Sequence, residues 1–269
     1  MSHAPHLPHP WPYPRWIAHR GAGKLAPENT LAAFRIGAGY GYRMFECDVK
    51  LSSDNVPFLL HDSTLTRTTN KALALGPHAS RVAGQHPWAT LSTLDAGAWH
   101  SRRFAGEPLP TLDAIAQFCL HNDYYLNIEI KPTRGTERHT GDVVARHAAH
   151  LWQGAAVPPL LTSFKPETLE GAKAAAPHLP RGLLLANLGR DWLETALTLG
   201  CVAVVCKQSL WNKSSVTKAQ SAGLRCLSYT VNNAREAQRL LNLGTDGLIT
   251  DRVDVFSPSS PFAKPARER

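Results

Sequence analysis

A (β/α)8 barrel of the α/β class is predicted by three observations on the 269-residue chain. Short β-rich runs alternate with helix-like stretches, as repeated βα units require. Eight such runs can be counted. Trimming two polar, proline-rich ends leaves about 240 residues, close to the ~250 typical of one such barrel.

The elements follow in order. Residues 1–15 are rich in Pro and His and carry no apolar run, which predicts a disordered tail whose His3, His6 and His9 are solvated. The first strand is expected at 16–19. Pro27-Glu28-Asn29-Thr30 reads as a helix start with Asn29 or Thr30 as N-cap, and Leu31, Phe34 and Ala38 supply its apolar spacing. A second strand at 44–50 precedes a ninth apolar run at 56–60. Only Ser52-Ser53-Asp54-Asn55 lies between them, too little for a crossover, so an antiparallel hairpin is predicted. A four-residue turn would set His61 opposite Glu46.

Residues 63–110 contain Gly, Trp88 and Trp99 and are too long for an idle loop, so they are expected to form an inserted subdomain at the rim of the active site. Further strands are predicted at 124–130, 159–163, 182–186, 201–207, 224–230 and 247–250. Helices should begin near Leu112, Thr140, Pro166, Asp191, Ser214 and Asn233, the last running through Ala237, Leu240 and Leu241 to a stop at Gly244. The barrel domain is thus expected over 16–256, with a second disordered tail at 257–269. No repeat of solenoid length is visible.

Composition narrows the function. The net charge is +8, but Lys and Arg are scattered and Arg15, Lys264, Arg267 and Arg269 fall in the tails. Without a basic stripe or a reader motif, a nucleic-acid partner is not expected, although a positive field favours anionic small molecules. No signal peptide and no run of ~18 apolar residues is visible, so a cytoplasmic protein without stable membrane insertion is expected. The five cysteines, Cys47, Cys119, Cys201, Cys206 and Cys226, lack CxxC spacing and read as buried free thiols.

The chemistry-bearing residues close short apolar runs. Alternation puts Glu46 and Asp48 on one face of a strand and Cys47 on the other; Asn127, Glu129 and Lys131 share a face by the same rule. Three converging carboxylates repel unless cations sit among them, and an oxygen-rich set without thiolate suits one divalent cation, Mg2+ or Ca2+. Singly, these acids could be salt-bridge partners of Arg20 or Lys131. Four polar clusters at strand ends are harder to explain by packing, since buried charge is costly. His19 and His61 each terminate an apolar run and together can serve as acid and base at a scissile P–O bond. Arg20 can grip a phosphoryl oxygen with a bidentate fork, Lys131 can add a point charge, and Glu28 can orient Arg20. Gly21 and Gly23 resemble a small phosphate-approach loop.

These residues carry a resemblance. His19-Arg20-Gly21, Pro27 to Thr30, Glu46/Asp48, His61-Asp62 and Glu129/Lys131 match the ordered pattern of the glycerophosphodiester phosphodiesterase family. Leu94-Asp95-Ala96-Gly97-Ala98-Trp99, Phe104, Gly106-Glu107 and Pro110-Thr111-Leu112 resemble its bacterial cytosolic members, and the likeness extends from about Trp16 to Asp251. It implies a TIM barrel with a small inserted domain and a divalent metal on Glu46, Asp48 and Glu129. It also implies acid/base catalysis by His19 and His61, and substrate binding by Arg20, Lys131 and Tyr229, where many relatives carry Trp. The implied reaction hydrolyses a small-molecule glycerophosphodiester, such as glycerophosphocholine or glycerophosphoethanolamine, to sn-glycerol 3-phosphate and an alcohol. A phospholipase acting on intact lipid would need a membrane-docking surface or an export signal, and a non-catalytic anion-binding barrel would have lost one of the paired groups. All are present.

Overall fold

In the computed structural model, which describes residues 11–256 and 258, every predicted strand lies within two residues of its expected limits. The chain runs β1 (Trp16–Ala18), α1 (Leu31–Gly39), β2 (Met44–Leu51), β3 (Pro57–Leu59), α2 (Lys71–Leu75), α3 (Trp88–Leu91), α4 (Leu112–His121) and β4 (Tyr125–Ile130). It continues with α5 (Glu137–Leu151), β5 (Leu160–Ser163), α6 (Pro166–Ala175), β6 (Arg181–Leu185), α7 (Trp192–Thr198), β7 (Ala203–Lys207), α8 (Lys213–Ser221), β8 (Arg225–Tyr229), α9 (Ala234–Asn242) and β9 (Gly247–Thr250). Parallel pairing follows the order β1-β9-β8-β7-β6-β5-β4-β2, and a further pairing of Ala18 with Phe45 closes the ring. The result is a (β/α)8 barrel with β3 hanging on β2 as an antiparallel hairpin.

Strand alternation divides the apolar residues into two cores. Phe45, Cys47, Val49, Ile128 and Val204 point outward under the helices, while Ile17, Met44, Leu160, Leu184, Val205, Leu227 and Ile249 fill the interior. The hydrophobic effect drives both, and it leaves the interior places near the C-terminal strand ends to Glu46, Asp48, Asn127 and Thr162, all buried. Helices α5 and α6 touch backbone to backbone: a Cβ at Gly141 would sit 1.9 Å from the Thr168 carbonyl oxygen, and one at Gly171 2.1 Å from that of Arg138. Among the described residues no helix follows β9. Phe256 instead stacks on Trp16 at 5.1 Å, and its carbonyl accepts from the Tyr42 hydroxyl at 2.7 Å.

Three expectations change. Residues 11–15 do not trail from the barrel: Tyr13 is buried, its hydroxyl donates to the Pro158 carbonyl at 2.8 Å, and its ring meets Tyr125 edge-on at 6.1 Å. The reason is that two aromatics, Trp11 and Tyr13, stop the open N-terminal end of the barrel interior. The remaining tail residues, including His3, His6 and His9, lie outside the described residues. The hairpin register is one residue from that expected, with Val49 opposite Leu59 and Leu51 opposite Pro57. Ser52 and Val56 already exchange a hydrogen bond, leaving a three-residue loop whose last member, Asn55, takes φ +65°, so His61 does not face Glu46 across a ladder. Helix α5 starts at Glu137 rather than near Thr140; its polar first turn carries no apolar spacing that would mark it in the sequence.

The insert builds its own small core: Leu65, Ala83, Leu91, Leu94, Ala96 and Leu109 pack on Phe58 and Leu60 of the hairpin. It touches the barrel through Glu107, whose carboxylate accepts from the Ala32 N–H at 2.8 Å at the start of α1. All five cysteines are buried and free.

Candidate active site

The turn after β1 brings the first imidazole to the end of β9. Gly23, at φ +57°, lies so close to Asp251 that a Cβ would meet its carbonyl oxygen at 2.2 Å, so only glycine permits this approach. His19 Nδ1 consequently lies 2.6 Å from Asp251 Oδ1. Asp251 is itself held, accepting from the Asn232 amide at 2.8 Å and donating its own N–H to Asn232 Oδ1 at 2.9 Å. With Nδ1 engaged, the other ring nitrogen faces the acids, 3.7 Å from Glu46 Oε2. Burial disfavours the His19 imidazolium, but the Asp251 hydrogen bond and the Glu46 charge outweigh it and raise the pKa. The Asp251 carboxyl falls to about 2, the opposing effect of burial being overcome by His19. Neither Asp251 nor Asn232 was marked by a charge pattern; the available signal was that Asp251 immediately follows a strand.

Beside His19, ligand oxygens of Glu46, Asp48 and Glu129 lie within 4.8 Å of one another. Strand register accounts for this, since β2 and β4 set Asp48 beside Glu129. Arg20 sits in the left-handed region at φ +51°, which aims its N–H at Glu46 Oε2 (3.0 Å) and its guanidinium at Asp48 (3.2 Å) and Glu28 (2.9 Å). Thr30, not Asn29, caps α1; Asn29, also left-handed at φ +60°, donates to Asp48 Oδ2 at 2.8 Å and accepts from the Asp48 N–H at 3.0 Å. Lys131 Nζ reaches Glu129 at 2.8 Å and Asp48 at 3.3 Å.

These cations are shared unequally. Burial opposes ionisation of Asp48, yet Arg20 and Lys131 hold its carboxyl well below the usual carboxylate range. Burial and the Asp48 charge push Glu46 up to about 8, and the same two causes raise Glu129. Glu46 Oε1 is buried with no hydrogen-bond partner among the described residues. An orphaned carboxylate oxygen among three converging acids, with Cys47 turned to the outer core, fits a hard divalent cation.

The second imidazole enters from the hairpin. His61 Nδ1 lies 2.9 Å from Asp62 Oδ1, and Asp62 in turn accepts from Arg67. Burial lowers the His61 pKa; the nearby Arg20 and Lys131 charges add to this, and Asp48 only partly offsets it. Tyr229, at the end of β8, spends its hydroxyl on the Leu185 carbonyl (3.1 Å) and sets its ring edge-on to Phe164 at 5.6 Å. Lys50, unmarked in the sequence, is a further buried cation on the Glu46/Asp48 strand; burial and Lys131 bring its pKa down to about 8. A groove of about 790 Å³ beside the loops after β4 and β5, lined by Arg138, His139 and Lys165, holds none of these paired groups.

Carboxylate-held imidazoles, clustered acids and flanking cations at the C-terminal mouth of a parallel barrel define a phosphoester-cleaving enzyme. The Glycerophosphoryl diester phosphodiesterase family model matches residues 19–255, and the chain belongs to that family. It is an enzyme, a phosphoric diester hydrolase. The chain is 31% identical over 241 residues to a glycerophosphodiester phosphodiesterase of Caldanaerobacter subterraneus, covering 89% of this chain and 95% of the relative. A Bacillus subtilis glycerophosphodiester phosphodiesterase is 28% identical over 260 residues, covering 89% and 84%. A phosphodiesterase from Oleispira antarctica, solved in complex with the product sn-glycerol-3-phosphate, superposes with a TM-score of 0.80 at 31% identity, covering 89% of this chain and 93% of that one.

Proposed function

We propose that this enzyme cleaves small glycerophosphodiesters, such as glycerophosphocholine and glycerophosphoethanolamine, to sn-glycerol 3-phosphate and the free alcohol, with His19 and His61 as acid and base. The observation that carries this is the pair of imidazoles, each with Nδ1 on a carboxylate, so that both Nε2 atoms are left for substrate beside one acid cluster. The product bound to the Oleispira antarctica relative supports the choice of substrate.

Glu46, Asp48 and Glu129 would hold one divalent cation, Mg2+ or Ca2+, which when bound acidifies the glycerol 2-hydroxyl and offsets phosphate charge. One histidine takes the 2-hydroxyl proton while that oxygen attacks phosphorus. The bond to the alcohol oxygen breaks, and the other histidine, as imidazolium, protonates it. The product is a five-membered cyclic phosphate, which water opens with the two histidines exchanging roles. Arg20 and Lys131 hold the non-bridging oxygens, where the largest share of transition-state stabilisation arises. Tyr229 lines the alcohol side with its ring, its hydroxyl being engaged by Leu185. Among the described residues no helix is long and apolar enough to cross a membrane, and five buried free thiols suit a reducing cytoplasm.

The test is release of sn-glycerol 3-phosphate from glycerophosphocholine. EDTA should abolish it, Mg2+ or Ca2+ should restore it, and His61→Ala should lower kcat by about 10²–10⁴-fold. Full turnover of a substrate lacking the 2-hydroxyl, with no cyclic species in rapid-quench samples, would overturn the internal attack.

A further inference from the structure

We propose that Arg67, supplied by the insert, is a positioning residue that sets the His61–Asp62 pair and Arg20 in register with each other. The inference rests on the acid/base reading above and assigns the insert a part in it. The Arg67 guanidinium makes two forks. Nε and Nη2 donate to Asp62 Oδ2 and Oδ1 at 2.8 and 2.9 Å, and Nη1 and Nη2 donate to Glu28 Oε2 and Oε1 at 2.8 and 2.7 Å. The same Asp62 Oδ1 meets His61 Nδ1 at 2.9 Å, and the same Glu28 Oε1 accepts from Arg20 Nη1 at 2.9 Å. One planar group therefore links the His61 imidazole to the Arg20 guanidinium through two carboxylates.

The consequence for His61 is chemical. A carboxylate held at both oxygens cannot swing, so Asp62 accepts the Nδ1 proton of His61 in one orientation and leaves Nε2 bare toward substrate. The consequence for Arg20 is geometric, because Glu28 is bridged between two guanidiniums and cannot follow Arg20 away from Asp48. Trp99 of the same insert lies 5.8 Å from the Arg67 guanidinium carbon and backs it with an aromatic face. Asp251, the counterpart at His19, is steadied by the neutral amide of Asn232, which belongs to the barrel. Of the two orienting acids, then, the one at His61 depends on the insert. Lysine could substitute only in part, since it keeps the charge but cannot fork to two carboxylates.

The experiment compares wild type, Arg67→Met, Arg67→Lys, Asp62→Asn and the Arg67→Met/Asp62→Asn double variant on glycerophosphocholine, with Tm and ¹⁵N imidazole spectra recorded on each. Arg67→Met should lower kcat by about 10–100-fold, as loss of an orienting partner does elsewhere, with Tm nearly unchanged. His61 should pass from a single Nδ1–H tautomer to a mixture, Arg67→Lys should restore part of the rate, and the double variant should lose less than the product of the two single losses, what remains beyond Asp62→Asn being the Glu28–Arg20 arm. A wild-type kcat in Arg67→Met with the His61 spectrum unaltered, or additive losses in the double variant, overturns the proposal. The spectra need no turnover, so a wild type inactive on every glycerophosphodiester would sink the proposed reaction while leaving the tautomer comparison to decide Arg67.

Discussion

Asp251 and Glu46 show how single carboxyls on one rim are driven in opposite directions from their ordinary values. Asp251 is a fixed anion at about 2, and in the proposed reaction it keeps the His19 proton on Nδ1. Asp251→Asn retains the shape but allows the wrong tautomer, so kcat should fall about 10²–10⁴-fold with KM little changed, read by steady-state kinetics. Glu46 sits near 8, raised by burial and by Asp48 above its ordinary 4.5. A group raised in this way contributes stability that is complete below about 4.5 and lost as pH rises through about 8. The metal-free protein should therefore lose Tm across that window, and Glu46→Gln should flatten the loss. A cation that needs the ionised form displaces the proton, so titration with Mg2+ or Ca2+ at pH 7 in buffers of different ionisation heat should show about one proton released per ion bound.

At the scale of elements, the lower end of the barrel depends on one buried cation. Arg181 begins β6, is 1% exposed, and donates to the Leu179 carbonyl at 2.7 Å, that of Leu199 at 3.3 Å and that of Gly200 at 3.3 Å. It ties the turn after α6 to the turn after α7, satisfying carbonyls that those helix ends leave open. Arg181→Met should cost about 2–4 kcal/mol in denaturant unfolding through those unpaired acceptors, with kcat unaffected because the chemistry lies at the other end of the strands. Elements were the level most legible in the sequence. Strand existence and facing follow from period-two alternation, which is why the sequence alone aims Glu46, Asp48 and Glu129 inward. Hairpin register was not legible, because it turned on whether Asn55 would enter the left-handed region, a choice settled by three loop residues.

Over the whole molecule, one end of the barrel is stopped and the other is furnished. Trp11 and Tyr13 close the N-terminal end, so Tyr13→Ala should lower stability by about 3–5 kcal/mol while leaving KM for glycerophosphocholine unchanged, checked by unfolding and by steady-state kinetics. The C-terminal end receives the insert, which reaches the catalytic side through Arg67 and α1 through Glu107. By itself the sequence determined the barrel, the inward acids, the two strand-end histidines and the family they resemble, because alternation and order along the chain are local properties. Tertiary structure alone decided that Asp251 and Asn232 would serve His19, that Arg67 would join Asp62 to Glu28, and that Asp48 would take the cations while Glu46 kept an orphaned oxygen. Those outcomes are set by distances of a few ångströms between residues up to 232 positions apart, and charge at such range depends on closure of the ring, which no stretch of chain encodes by itself.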